Sequence, residues 1–420
     1  QLRDDYIMKI LLVSYYPLPY TGGVWTFVSL LKKALEGLGH SVDVLSHTPD
    51  TTKYRIIGQE PGIEIDDVSP YIGKMIVTEM PSLPVNSWIY NVEIFRYSLE
   101  LSAAYYDLQQ YDIIHALDVT AARAMSRVKP PHLPLVTSAL GNLSRDIFFT
   151  LKTMHRKKTD QQLQDTFEYQ YHKTLELLGY QSSNLIHSPT LWMRNNIIDN
   201  FSISPDKIMT FSYGLDIENF HKDSMEHPIV GPKMGKKIIL FMGRLVYLKG
   251  VHHLFDALAL LKENREDWEC WILGKGELQK ELEEQCQKLE LSNHVRFLGN
   301  SNDVAHFLRE ADIFVHPSIH DTQPYSVMEA QLTGLPVLVS NTAGLPEMVE
   351  VGRSGLVSSV GNIHELYDQL RYLLENDILR KQLSVCTKEW AKERWSLDTM
   401  VNNILSLYKQ ARGLETENPS

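Results

Sequence analysis

Cysteine is scarce: Cys270, Cys286 and Cys386 are the only three in 420 residues, and none stands at a metal-binding or redox-motif spacing from another. An odd, sparse set excludes a disulfide-stapled scaffold and a cysteine-ligated zinc site, and reads as structural or incidental thiols in a reducing compartment. Long hydrophobic runs are absent too; nothing approaches the ~18 apolar residues of a membrane span. Gln1–Tyr6 is polar and lacks the apolar core of a signal peptide, while Met8-Lys9 reads as a natural beginning. Positive charge is not in excess. The formal net charge of −11 disfavours wholesale nucleic-acid binding. There are no low-complexity segments, and no side chain is marked out as a nucleophile. What remains is a soluble, cytoplasmic chain with an ordinary 43% apolar fraction and a length that suits two domains.

Those two halves begin alike. Lys9–Ser14 is a buried strand, Tyr15–Gly23 a loop with Gly22 and Gly23, and Val24, Phe27, Val28, Leu31, Leu35 and Leu38 then recur at helical spacing. Lys236–Met242 restarts the pattern: a buried strand, a loop opened by Gly243-Arg244, and Lys249-Gly250 before an amphipathic helix. Between them, His221–Gly235 carries two prolines and two glycines with little apolar content and reads as the linker. The aromatics Tyr15, Tyr16, Tyr20 and Trp25 suit either stacking on sugar faces or loop packing. Arg145–Tyr180 reads as long, polar and helical. Its basic group, Lys152, Arg156, Lys157 and Lys158, is either a weak membrane-surface contact or a solvated face; Asp160, Asp165 and Glu168 close behind favour the latter.

The densest signal is Ile313–Val349. Ile313-Phe314-Val315 is a buried strand, Ser318–Tyr325 a polar loop, and Ser326-Val-Met-Glu329 opens an apolar helix that Gly334 stops. Ser-x-x-Glu is a capping box, which predicts Ser326 at the N-cap. Leu335–Val339 is the next strand. Strand, loop, helix, strand is a βαβ unit, and ligands bind open parallel sheets at the end where such loops lie. A helix N-terminus there offers N–H groups to a phosphate. Glu329 is read either as the partner within the cap or as a ligand group, and Asp321 either as a solvated carboxylate or as a ligand group.

Asp321, seven residues, Glu329, then Ala330, Gly334, Pro336-Val337 and Gly344-x-x-Glu347 resemble the signature of the retaining glycosyltransferases of GT-B fold, family 4 (glycosyl transferases group 1). The family usually has Glu where this chain has Asp321, and Phe-Gly where it has Gln323-Pro324. Gly243-Arg244-Leu245 with Lys249-Gly250 is similar to the family's diphosphate-binding pair. His115 stands where the family often has His-x-His, with Leu117 in the second place, and Leu140-Gly141 replaces His-Gly. Ser212–Phe220 resembles the family's crossing between domains, with Tyr213 in place of Asn.

The resemblance implies an α/β architecture of two Rossmann-like domains facing across a cleft. Residues 1–220 would bind the acceptor, 221–395 the nucleotide sugar, and 396–420 would form a helix crossing back to the first domain, and a tail. It implies transfer of a hexose or N-acetylhexosamine from a nucleotide sugar, UDP-linked by preference, to a hydroxyl of a sugar-containing metabolite, lipid-linked sugar or polysaccharide. Arg244 and Lys249 would stabilise the leaving diphosphate, and Asp321 would meet the donor sugar's hydroxyls. His115 has either a catalytic or donor-sugar role or a structural one. Donor contacts fall to Gly22, Gly23, Gly243, Leu298 at the base edge, the N–H groups of Tyr325 and Ser326, and Glu329 at the ribose. Pro324 removes one backbone donor from that loop. No metal or other cofactor is implied. A non-catalytic nucleotide-sugar sensor, fed by the missing histidines and by Asp321, and a nucleotide-sugar epimerase of the same fold are the competing readings.

Overall fold

The computed structural model describes residues 7–20, 22–220, 235–301 and 303–413. The chain forms two compact units: Gln1–Pro189, Met193–Phe211 and Asp398–Ser420 make the first, and Thr190–Trp192 with Ser212–Leu397 the second. The division therefore falls at Phe211/Ser212. Most of the expected linker, residues 221–234, lies outside the described residues.

The first unit holds an eight-stranded sheet. Its strands are β1 (Lys9–Pro17), β2 (Ser41–His47), β3 (Lys53–Ile56), β4 (Ile63–Glu64), β5 (Ile113–Ala116), β6 (Leu135–Ser138), β7 (Leu185–Ser188) and β8 (Ile208–Thr210), in the order β4-β3-β2-β1-β5-β6-β7-β8. β3 pairs antiparallel with both β2 and β4 at the edge, and the other pairings are parallel. β5, β6 and β7 are buried at every position, as a parallel sheet covered on both faces requires. Helices Trp88–Tyr105 and Val119–Val128 pack on this core. The stretch read as one long helix is three: Leu143–Met154, Asp160–Gln164 and Phe167–Ser182. Thr159 and Gln162 close a capping box and Thr166 caps the last helix, so three local side-chain bonds overrode the continuous polar pattern. Lys152 of the basic group bonds Asp160 at 2.9 Å across the first break.

The second unit repeats the plan with a wholly parallel sheet. β9 (Lys237–Met242), β10 (Trp268–Leu273), β11 (Val295–Gly299), β12 (Ile313–His316), β13 (Val337–Ser340) and β14 (Leu356–Ser358) stand in the order β11-β10-β9-β12-β13-β14. Helices Val251–Lys262 and Ile363–Glu375 bury Leu254, Leu258, Leu261, Leu366, Leu370 and Leu373 against it. In both units the first strand is central, with the second strand on one side and a later one on the other. Connections leave in opposite directions there, which opens a crevice at the carboxyl ends of the strands. In the second unit that switch lies between β9 and β12, where Ile313 pairs with Ile239.

Candidate functional site

Three loops of the second unit meet at the switch. The first, Gly243–Gly250, leaves β9 and ends in a short 3₁₀ turn, Tyr247–Lys249. The second follows β12. Its Ile319 N–H donates to Leu248 O at 2.8 Å, which seats it on the 3₁₀ turn. The third follows β13, where Thr342 Oγ1 donates to Ile319 O at 2.9 Å. Small residues allow this closeness. A Cβ on Gly274 would lie 2.0 Å from Gly243 O, and one on Gly344 would lie 2.1 Å from Thr322 O.

This seating brings Lys249 onto Asp321. The ammonium bonds Asp321 Oδ2, and His316 Nε2 stands 2.8 Å from the same oxygen. Both members of the ion pair keep only 16% of their side chains exposed. Burial pushes the Asp321 carboxyl up, but the Lys249 charge and the His316 hydrogen bond outweigh it and hold the group well below the usual carboxylate range. Asp321 is therefore anchored rather than free, which its reading as a sugar contact did not anticipate. Arg244, by contrast, is exposed and forms no ion pair among the described residues.

The helix after the second loop spans Tyr325–Thr333, with Pro324 at the N-cap. This corrects the expectation for Ser326: it lies in the first turn, and no side chain caps the helix. Proline's fixed φ presets the extended entry, so the helix starts one residue before the hydroxyl that would have capped it. The N–H groups of Tyr325 and Ser326 have no partner among the described residues. Glu329, one turn on from Tyr325, has no hydrogen-bond or ionic partner among them either, and burial alone raises its carboxyl to about 7. Freed of a capping role, it is a carboxylate without a protein partner. Tyr325 stacks on Tyr213, centroids 5.6 Å apart and planes 10° from parallel, and the Tyr213 N–H donates to Gln323 Oε1 at 3.2 Å. Glu347 accepts from the N–H groups of Leu191 and Trp192 at 2.8 and 2.7 Å.

Gly243 and Leu298 lie at the same edge of the sheet, at the ends of β9 and β11, and Leu298 is half-buried. Gly22 and Gly23 belong to the first unit, exposed at the start of helix Gly23–Gly37. Tyr16 and Tyr20 of the same loop are 46% and 60% exposed, and Tyr15 packs edge-on against Tyr16 at 5.2 Å.

Of the two readings of His115, the geometry favours the structural one over a catalytic or donor-sugar role. His115 has no exposure, its Nδ1 is 2.7 Å from Tyr408 Oη and its Nε2 2.7 Å from Ser138 Oγ. Ser138 Oγ lies 2.9 Å from His187 Nδ1, and His187 Nε2 lies 2.8 Å from Phe211 O. A carbonyl only accepts, which fixes every proton in the chain. His187 donates to Phe211, Ser138 to His187, His115 to Ser138, and Tyr408 to His115. Burial lowers the pKa of His115 to about 3 and of His187 to about 4, so both rings are neutral. His115 ties the returning C-terminal helix into the first sheet, with both ring nitrogens occupied.

Among the described residues no three His, Cys, Asp or Glu side chains gather as a metal site, and no helix is long and apolar enough to cross a membrane. The residues that sequence reasoning missed are His316 and Ser318. A histidine ending an apolar strand reads as core, and only the loop's return reveals its carboxylate partner.

Comparison with known proteins bears on this arrangement. Residues 223–390 match the family model described as glycosyl transferases group 1, and residues 21–219 the one described as glycosyltransferase family 4. An uncharacterised glycosyltransferase of Methanocaldococcus jannaschii is 25% identical over 96% of this chain and 98% of its own length. The Escherichia coli enzyme named UDP-Gal:alpha-D-GlcNAc-diphosphoundecaprenol alpha-1,3-galactosyltransferase is 29% identical over 50% of this chain and 56% of its own. Among solved structures, Anabaena HepE in complex with UDP and glucose superposes with a TM-score of 0.68 at 18% identity, covering 96% of this chain and 100% of that one.

Proposed function

The chain belongs to the glycosyl transferases group 1 family and has the GT-B fold, and from that premise we propose that it transfers a hexose or N-acetylhexosamine from a UDP-sugar, with retention, to a hydroxyl acceptor in the cytoplasm. One observation carries the reading. At the carboxyl edge of the second sheet stand a guanidinium, two helix N–H groups and a carboxylate that have no partner among the described residues. A diphosphate answers the first two: Arg244 grips its oxygens and the N–H groups of Tyr325 and Ser326 point at it. A ribose answers the third, since an ionised carboxylate accepts from two hydroxyls. The complexes with UDP solved for HepE support the choice of nucleotide.

Transfer then needs stabilisation of the charge that grows on the departing diphosphate. Arg244, Lys249 and the helix N-terminus supply it, so catalysis proceeds without a metal. The acceptor hydroxyl attacks on the face the diphosphate leaves, and the diphosphate takes its proton. Activity is expected to survive EDTA unchanged; its abolition and recovery on adding Mg²⁺ or Mn²⁺ would refute the metal-free route.

Glu329 provides the test of the site. Its carboxyl stands at about 7 because burial disfavours the charged form. A nucleotide sugar that donates two hydroxyls to it favours the charged form and lowers that value. The sign follows: affinity is constant well above pH 7 and falls as pH drops through 7, by at most roughly tenfold per unit, with a proton released on binding. UDP-glucose and UDP-N-acetylglucosamine are the ligands to titrate, since the terminal phosphate of UDP itself titrates near about 6. Glu329→Gln is expected to weaken binding and flatten the pH dependence. Unchanged affinity with the same slope would remove Glu329 from the nucleotide site.

A further inference from the structure

His316 closes β12 with 1% exposure, and the rings of Phe241 and Phe314 lie nearly parallel to it at 6.2 and 6.3 Å. Its Nε2 is 2.8 Å from Asp321 Oδ2 and 2.9 Å from Ser318 Oγ, while its Nδ1 is buried with no partner among the described residues. The proton positions follow. Asp321 is ionised under the Lys249 ammonium, which bonds the same oxygen, and an ionised carboxylate only accepts. His316 must therefore donate its Nε2–H, and a neutral ring leaves Nδ1 as a bare acceptor among phenylalanines. Such a stranded polar atom is destabilising, and a leucine here would continue the apolar run Ile313-Phe314-Val315 without it.

We infer that His316 is a positioning residue: by pinning Oδ2 of Asp321 it sets where the Lys249 ammonium and the other carboxylate oxygen stand to meet a nucleotide sugar. The inference rests on the glycosyl-transfer reading. Aspartate is one methylene shorter than glutamate, and His316 draws it toward the sheet, where among the described residues its Oδ1 has only the Thr322 N–H at 3.1 Å. That oxygen keeps a lone pair for a sugar hydroxyl. Phosphate and ribose contacts through Arg244, the helix N–H groups and Glu329 do not run through His316, and Lys249 answers the charge that grows as the diphosphate departs, so the effect falls on turnover rather than on UDP binding.

The test uses His316→Leu and His316→Gln in the full chain. Loss of the supporting hydrogen bond is expected to lower kcat with a UDP-sugar by about 10–100-fold. The Kd for UDP stays within threefold of the parent, and the thermal midpoint does not fall. The Gln variant, whose amide nitrogen reaches where Nε2–H was, recovers most of the rate. Parental kcat in His316→Leu overturns the inference, as does a rate loss that tracks a lowered midpoint and is not rescued by Gln. Should the parent protein turn over no UDP-sugar, the glycosyl-transfer reading fails on its own. Ring-nitrogen NMR of His316 then decides the inference: an Nε2–H tautomer that is lost in Asp321→Asn upholds it, and an Nδ1–H tautomer in the parent overturns it.

Discussion

Arg244→Ala lowers turnover of the nucleotide sugar by roughly 10²–10³-fold, the loss expected when one preorganised charge stabiliser is removed, and leaves the unfolding midpoint where it was. The two halves of that expectation have one cause. Arg244 is exposed and pairs with no described residue, so folding does not depend on it, and its charge is available to a ligand. Lys249→Ala has a comparable effect on rate but a different one on stability. Its ammonium is the cation on Asp321, and both side chains are 16% exposed. Without it the carboxylate keeps His316 and the Thr322 N–H but no cation, which costs about 1–3 kcal/mol. The pH dependence identifies the origin. A carboxyl depressed in the folded protein adds stability that is present above its unfolded value and lost as pH falls through the folded one. The gap between parent and Lys249→Ala is therefore full at neutral pH and closes in acid. Asp321→Asn in the Lys249→Ala background restores part of the stability and none of the rate. Near-parental turnover in Arg244→Ala would remove the diphosphate cradle from the mechanism.

How much of this was legible follows from where each interaction sits along the chain. Buried strand segments such as Ile238–Met242 and Ile313–His316 announce themselves as short apolar runs, and Gly243, Gly250 and Gly334 mark the loops between. Local periodicity was therefore enough for the alternation of strand and helix and for the restart at the second unit. The cap of the Tyr325 helix was misplaced because Ser-x-x-Glu is only a local pattern, while the preceding proline had already fixed the helix start. The break at Thr159 was legible in principle, since Thr159-x-x-Gln162 is itself a capping pattern, but the surrounding polar residues masked it. Lys249 and Asp321 stand 72 residues apart. No spacing rule relates them; only the parallel pairing of β9 with β12 places their loops side by side. His115 shows the converse. A histidine at a strand end invites a chemical role, and its partners Ser138 and Tyr408, with His187 behind Ser138, come from segments that sequence proximity does not connect. Burial, which removes its charge and occupies both nitrogens, is visible only once those segments have met.

Gly250→Ala is the substitution expected to damage the fold of the site most. Gly250 holds φ +65°, in the left-handed region, between the 3₁₀ turn and helix Val251–Lys262. A side chain there costs about 1–2 kcal/mol from backbone strain alone. The Cβ would also stand 2.0 Å from Pro317 O and 3.0 Å from Pro317 C. These are backbone atoms at the end of β12, so no side chain can rotate away, and overpacking adds roughly 1–3 kcal/mol. Gly352→Ala is the matched control in the same unit. It has φ +79° and open space around the added Cβ, so it carries the strain without the collision. Urea titration is expected to give a loss of about 2–5 kcal/mol for Gly250→Ala and about 1–2 kcal/mol for Gly352→Ala. The rate per folded molecule separates them further. Relieving the collision pushes the β12 loop off the 3₁₀ turn, breaking the Ile319–Leu248 bond and moving Asp321 away from Lys249, whereas Gly352 touches no residue of the site. Equal losses for the two glycines, or parental kcat in folded Gly250→Ala, would mean that the two loops do not need this contact to hold the charged groups together.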